Sequence, residues 1–272
     1  MRRRSRYSRG NPTQPFFSPP TFRIDRFDDI DSTSSEAFRR AAAGDAGNLW
    51  ITATRQLAGR GRRGRYWVSE PGNLYASVLL RPAISASIAS QLSFVAAVAL
   101  HEAIVSIAPG AADRLALKWP NDLLLDGAKI SGILVESEGS DGITQVVVVG
   151  IGVNCAHHPA DTPYPVTDLL SAGFGVAAAT LLDALMMSFR QVLALWDSGR
   201  GFALVRARWL AAATGVGGPI TVRLADKELA GVFEGLGEDG SLSLRLSDGR
   251  LHNVAAGEVF LSSLTAGPRD DG

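Results

Sequence analysis

From Phe22 onward, apolar residues recur at the two spacings that separate strands from helices. Phe22, Ile24 and Phe27 begin an alternating, extended stretch, and Leu49–Thr54 and Leu74–Leu80 are denser runs of the same kind. Between the first two lies Asp31-Ser32-Thr33-Ser34-Ser35-Glu36. Thr33 with Glu36 three residues on is a helix-start signal, and it predicts a helix to about Ala43 that stops at Gly44. Leu92, Val95, Ala96, Ala99 and Ala103 fall on one helical face and predict a long buried helix. Ile130–Val135 and Val146–Val153 are β-branched runs suited to central strands, and Ala177–Trp196 and Phe202–Leu210 read as helices.

After Gly215-Val216-Gly217-Gly218-Pro219 the texture changes. Short strands are predicted at Ile220–Leu224, Glu228–Glu234, Leu242–Leu246 and Leu251–Val254, with Glu238-Asp239-Gly240 and Ser247-Asp248-Gly249 as the strongest turns. The pattern therefore predicts an α+β chain: a mixed β-sheet domain with flanking helices over residues 22–215, then a small all-β domain over 216–266 and a tail at 267–272. The second domain holds too little core to be very stable alone, so it is expected to pack on the first. Residues 1–21, rich in Pro, Ser and Arg, are expected to form a disordered basic extension.

Charge and cysteine content narrow the function classes. Twenty-seven basic residues balance twenty-seven acidic ones, so no whole-molecule field draws the protein to nucleic acid or membrane. Arg2, Arg3, Arg4, Arg6 and Arg9 precede the first acid, Asp25, and leave the remainder mildly acidic. The first residues have the composition of an organellar transit peptide. They lack an amphipathic stripe and contain Pro12, Pro15, Pro19 and Pro20, which favours a plain extension. The single cysteine, Cys155, excludes an internal disulfide framework and a Cys-based zinc site, and it fits a reducing, cytoplasmic setting. No uninterrupted apolar run of about 18 residues occurs, so no membrane span is expected.

Three segments carry candidate chemistry. In Gly59-Arg60-Gly61-Arg62-Arg63-Gly64-Arg65, followed by Tyr66-Trp67, four arginines repel one another unless an anion is shared. Glycines let backbone N–H groups approach such an anion, and guanidinium forks match phosphate or carboxylate oxygens; a solvated basic loop is the plainer alternative. Gly59, Gly61 and Gly64 also spell G-x-G-x-x-G, but Val68-Ser69-Glu70-Pro71-Gly72 follows where a helix must open, so the dinucleotide reading fails. Lys118-Trp119-Pro120-Asn121-Asp122 presents a cation, an amide and a carboxylate at a strand end or turn. Lys129, just before an apolar strand, is either a surface residue or a counter-charge for phosphate. Gly150 and Gly152, followed by Asn154, leave room beside a buried strand for a backbone or a ligand. His157 and His158 are adjacent and point apart on an extended chain, which argues against a metal clip, and Cys155 reads as a small buried residue.

In order and spacing these segments resemble the biotin–protein ligases, the biotin–[acetyl-CoA-carboxylase] ligases. The resemblance rests on Asp31-Ser32-Thr33, Gln56 with the Arg/Gly run through Trp67, Lys118–Asp122, Lys129–Glu136 and Gly150–Asn154, and it covers about Phe22 to Leu264. It implies a class II synthetase-like ligase fold with a small C-terminal β-barrel. It also implies ATP, Mg²⁺ and biotin as reactants, with a carboxyl carrier domain as partner. Biotin would attack the α-phosphate of ATP to give biotinyl-5′-AMP, and a carrier lysine would then take the biotinyl group. By the same resemblance Ser32, Thr33, Gln56, Arg60, Gly61, Arg62, Trp67, Lys129, Gly150 and Gly152 would bind biotin. Arg62, Arg65, Lys118, Asn121, Lys129 and Asn154 would bind ATP or the adenylate. Lys129, Arg62 and Asp122 would be catalytic, Asp122 by orienting or deprotonating the acceptor lysine, and no residue is assigned as a metal ligand. Ser34 stands where the family commonly has Asn. The short stretch before Phe22 implies a monofunctional enzyme without a DNA-binding domain, monomeric or homodimeric. A lipoate or octanoate ligase of the same fold, or a nucleic-acid-binding module using the arginines, are the rival readings.

Overall fold

The computed structural model describes residues 21–140 and 143–261. The expected N-terminal extension and C-terminal tail lie almost wholly outside them.

Eight strands form one mixed sheet in the order β1 (Arg23–Ile30), β2 (Leu49–Gln56), β3 (Leu74–Leu80), β8 (Ile143–Val153), β7 (Ala128–Ser140), β6 (Asp122–Leu125), β5 (Leu115–Lys118), with the short β4 (Ile84–Ser85) paired to β8. Only β1 and β2 run parallel; the chain crosses between them through α1 (Thr33–Ala42). Both faces of the sheet are covered, so its strands are apolar runs rather than simple alternations. Leu49, Ile51, Leu79, Val146 and Val148 pack with Ala37 and Ala41 of α1 on one face. Their neighbours Trp50, Val78, Leu80, Val147 and Val149 point the other way, into the larger core. That core is built with α3 (Leu92–Ile107), α4 (Ala178–Trp196) and α5 (Phe202–Ala211), α3 being preceded by the short α2 (Ala86–Ser90). The stretches Ala86–Ile107 and Ala178–Gly199 are long and apolar enough to cross a membrane by length and composition alone. In this fold α3 and α4 pack against each other and the sheet, with ten residues of α3 buried.

The helix start differs in one detail from expectation. Ser32, not Thr33, is the N-cap, and its hydroxyl accepts from Ser35 N at 3.4 Å. Thr33 turns inward instead, because its hydroxyl and N–H are both taken by Gln56.

Five antiparallel strands form the second sheet, in the order β12 (Leu251–Val254), β11 (Leu242–Arg245), β10 (Glu228–Leu236), β9 (Pro219–Arg223), β13 (Glu258–Leu261). The expected barrel is not closed: among the described residues β12 and β13 remain the two edges of an open sheet. Its inner residues Ile220, Val222 and Phe233 belong to the same core as α3 and α5. Trp119 Nε1 donates to Gly240 O at 3.1 Å, and Phe94 packs edge-on to Phe202 and Trp209 beneath that turn. Burial against α3 and α5 supplies the core that 45-odd residues cannot supply alone, about as expected for so small a sheet.

Candidate active site

Strand register draws the site residues together. β5 and β6 form a hairpin around Trp119-Pro120-Asn121, which sets Lys118 opposite Asp122; Asp122 pairs in turn with Gly132, and Gly132 with Gly152. The row so formed has a cation and a carboxylate at one end and two glycines beside them. A register shift between Leu123 and Leu124 places Lys129 next to this row, with its Nζ 2.7 Å from Asp122 Oδ1. That pair is close but poorly directed, since Asp122 Oδ1 makes no hydrogen bond of good geometry.

Over the glycines lies the Arg/Gly segment, folded back on itself. Trp67 N donates to Gly59 O at 3.0 Å and Gly61 N to Arg65 O at 2.7 Å, so Arg62, Arg63 and Gly64 form the tip. Gly59 is required by closeness: a Cβ there would stand 2.6 Å from both Ser69 Oγ and Trp67 O. The indole of Trp67 rests on the sheet, where a Cβ at Gly152 would be 2.6 Å from Trp67 Cε2 and one at Gly132 would be 3.1 Å from Cζ3. The room left by Gly152 is thus filled by Trp67, and that beside Gly150 adjoins Ser34 Oγ, where a Cβ would be 2.8 Å away. The sequence leaves a backbone or a ligand as the occupant of that room; in this structure a side chain meets each glycine.

The cavity enclosed by these elements has about 110 Å³ of open space, with six cations (Arg60, Arg62, Arg63, Arg65, Lys118, Lys129) and two carboxylates (Asp122, Glu258) in its lining. Such an excess favours anions. Most of the cations already have protein partners. Arg60 forms a fork with Glu136 at 3.1–3.2 Å and donates to Ser35 Oγ at 2.6 Å. Arg62 Nη1 donates to Asn121 Oδ1 at 3.1 Å, and Arg65 forks onto Glu258 of the second sheet at 2.7 and 2.9 Å. Lys129 Nζ also sits 5.7 Å from the Trp67 ring centroid and 5.5 Å from that of Tyr164. The Lys118 ammonium has neither hydrogen bond nor ion pair among the described residues; burial pushes its pKa down, with Asp122 opposing. Burial lowers that of Arg62 as well, while the hydrogen bond from Arg65 holds the Glu258 carboxyl below its ordinary range.

A polar floor closes the other end. Gln56 Oε1 accepts from Thr33 N and Oγ1 at 2.9 and 3.1 Å, and Gln56 Nε2 donates to Ser69 Oγ at 3.1 Å. Ser77 Oγ lies 2.8 Å from Thr33 Oγ1 and 3.0 Å from Ser34 Oγ. Gln56 therefore roots the Arg/Gly segment to α1 and keeps one amide hydrogen for a ligand.

Of the residues expected from the sequence, Ser32, Thr33, Gln56, Arg60, Gly61, Arg62, Arg65, Trp67, Lys118, Asn121, Asp122, Lys129, Gly150 and Gly152 all line this cavity. Asn154 does not. Its Nδ2 donates to Thr167 O at 3.0 Å and its backbone is bonded to Ile130 and Leu169, so it fastens the loop after β8 and lies outside this cavity's lining. Sequence reasoning missed Tyr164, carried by that loop in a Pro-Tyr-Pro setting, and Glu258, carried by a strand it did not predict. His158 is paired through Nδ1 to the buried Asp168, apart from the cavity. Cys155 is buried, which raises its thiol pKa to about 12.

The model of the Biotin/lipoate A/B protein ligase family matches residues 27–154, and that of the Biotin protein ligase C terminal domain matches residues 216–262. A biotin–[acetyl-CoA-carboxylase] ligase of Paracoccus denitrificans is 46% identical over 237 residues, which are 85% of this chain and 97% of that protein. The chain belongs to the biotin protein ligase family. A biotin protein ligase from Aquifex aeolicus, solved with biotin and ATP, superposes with a TM-score of 0.73 at 26% identity, covering 88% of this chain and 98% of that one. The Leishmania major biotin protein ligase solved with biotinyl-5-AMP gives 0.60 at 25% identity, covering 86% and 99%. The family's two matched segments meet at the cavity: the first contributes most of its wall, the second Gly257, Glu258 and Val259.

Proposed function

We propose that the chain activates biotin with ATP to form biotinyl-5′-AMP and passes the biotinyl group to a lysine of a biotin carboxyl carrier domain. The observation that carries this reading is the cation-rich cavity, its six cations brought from three separated segments over a buried polar floor, on the fold of the biotin protein ligases. Biotin's carboxylate and the triphosphate repel each other, and fixed positive charge offsets that repulsion before the reaction begins. A carboxylate oxygen attacks the α-phosphorus and pyrophosphate leaves. Lys129, already beside Asp122 and two aromatic rings, reaches the carboxyl and the α-phosphate. Lys118, Arg62 and Arg65 serve the phosphates, and Asn121 holds the nucleotide. Ser32, Thr33, Gln56 and Arg60 meet the ureido end; Trp67, whose Nε1 is buried without a hydrogen-bond partner, supplies an apolar wall and a spare donor. In the second step the lysine amine attacks the acyl carbon, AMP leaves, and Asp122 orients the amine and takes its proton.

Mg²⁺ enters as part of the substrate, bound to the phosphates of ATP. The two cavity carboxylates are each paired with a cation, and among the described residues no three His, Cys, Asp or Glu side chains gather, so no side chain is assigned to it. The open space is smaller than the roughly 300–1,000 Å³ usual for ligand sites, so the Arg/Gly segment lifts to admit substrates and closes over the adenylate. That closure shields the anhydride from water. The name of the Paracoccus relative points to the carrier of acetyl-CoA carboxylase as acceptor, and we place the reaction in the cytoplasm.

The test is incubation with ATP, Mg²⁺, biotin and a carrier domain, followed by intact mass. A gain of one biotinyl group, dependent on ATP, is expected. A gain with lipoate and none with biotin would move the chain to the lipoate branch of the matched family.

A further inference from the structure

A second cavity, of about 450 Å³, shares a wall with the first: Arg62, Trp119, Pro120, Asn121, Ile133 and Leu134 line both. Its charge is different. Among the described residues Arg62 is its single cation and exposed Asp239 its single acid, and the hydroxyls of Ser87, Ser90, Ser93, Ser137 and Ser241 supply most of its other polar groups. The second sheet builds one side of it. The turn carrying Asp239 is pinned by the Trp119–Gly240 hydrogen bond, and Ser241 N and Oγ fix Asp239 Oδ1 at 2.9 and 2.6 Å. These donors hold the Asp239 carboxyl below its ordinary pKa.

We propose that this second cavity is the entry for the acceptor lysine of the carrier domain, with the Arg62–Asn121 contact as the partition between it and the adenylate. The proposal rests on the ligase reading above. The acceptor arrives as an ammonium, since a free lysine has a pKa of about 10.4. The first cavity holds six cations against two carboxylates and is roofed by the Arg/Gly segment, so an ammonium is disfavoured at its mouth and meets Asp122 only once inside. In the second, Phe94, Ile133 and Val135 offer apolar surface to the four-carbon stem, and Asp239 with the serines suits the charged head. A triphosphate tail has the opposite requirement and finds only Arg62. The partition also sets an order. Arg62 is bonded to a neutral amide oxygen at 3.1 Å, and a phosphate is the stronger acceptor for a guanidinium. Adenylate formation draws Arg62 away, and the passage opens when there is something to attack.

Ser137 and Ser90 are exposed positions in the lining of the cavity, outside the residues assigned to chemistry. In Ser137→Trp and Ser90→Trp of the full chain, biotin-dependent ATP–pyrophosphate exchange should stay within about twofold, while single-turnover transfer from preformed adenylate to the carrier domain falls roughly tenfold or more. Ser→Ala at either position should transfer at the parent rate. Asp239→Lys should raise the carrier KM, leave exchange unchanged, and improve with added salt. Unchanged transfer in both tryptophan variants, exchange falling along with transfer, or an unaffected carrier KM in Asp239→Lys would each overturn the proposal. Absence of exchange in the unsubstituted chain would overturn the ligase reading instead.

Discussion

Replacing Gly152 by alanine tests how the Arg/Gly segment is seated. The new Cβ would lie 2.6, 2.7 and 2.8 Å from Trp67 Cε2, Nε1 and Cζ2, whereas carbon contacts settle at about 3.5–4.0 Å. The indole must therefore retreat by about 1 Å. Rotation alone does not suffice, because Trp67 N is bonded to Gly59 O and Gly59 is itself hemmed in by Ser69 and the Trp67 carbonyl. The whole segment from Gly59 to Trp67 has to lift. Overpacking of this kind costs about 1–3 kcal/mol, and a half-buried ring on a surface segment belongs to the lower part of that range. At roughly 2–4 °C per kcal/mol, Tm should fall by roughly 2–8 °C. Seating Trp67 against biotin suffers more: the biotin KM in pyrophosphate exchange should rise about tenfold or more, with the ATP KM changed less. Gly61→Ala is the control, since its Cβ meets nothing closer than Arg65 O at 3.7 Å. Ligand-free Gly61→Ala should keep the parent Tm. A Gly152→Ala protein with unchanged Tm, or equal losses in the two variants, would refute the reasoning.

Lys129→Ala should abolish exchange while calorimetry still detects biotin binding; Asp122→Asn added to it removes the carboxylate left unpaired by the first change, so lost folding is separable from lost chemistry. The Arg65–Glu258 pair is partly exposed, so it contributes under about 1 kcal/mol to stability, but it competes with phosphate for Arg65. Glu258→Gln should thus lower the ATP KM by up to about fivefold and speed tryptic cleavage of the ligand-free Arg62–Arg65 tip; a raised KM would contradict this competition. Because burial depresses the Lys118 pKa, its charge is present at low pH and lost as pH rises through a value below the ordinary lysine range. kcat/KM for ATP should fall across that interval, and Lys118→Arg should flatten the fall. In the same interval the unfolded chain binds the extra proton, so folding stability rises with pH there; a fall in stability that tracks Lys118 would contradict the sign.

Much of this protein was legible in order along the chain. Runs such as Val146–Val153 and the stripe Leu92–Ala103 are strands and a helix whose burial follows from local pattern. The Arg/Gly run, Lys118–Asp122 and Lys129 stood out as candidate chemistry because cations at that density favour a shared anion, while a solvated basic loop and a surface lysine stayed open from the sequence alone. The edges of the pattern were less legible. β5, β6 and β13 went unread because their apolar positions are fixed by the neighbours they pair with.

The sequence by itself determined the α+β layout and named fourteen of the residues that line the cavity, since both are written in spacing and side-chain chemistry that act locally. Tertiary structure alone decided which partner each charge takes. Arg60 with Glu136 and Arg65 with Glu258 are 76 and 193 residues apart, and only strand register and the docking of the open second sheet bring them within reach. It also decided that Gly152 receives Trp67, that Asn154 lies outside the cavity's lining, and that a second chamber stands behind Arg62. Packing distances are properties of the folded whole, and no periodicity along a chain contains them.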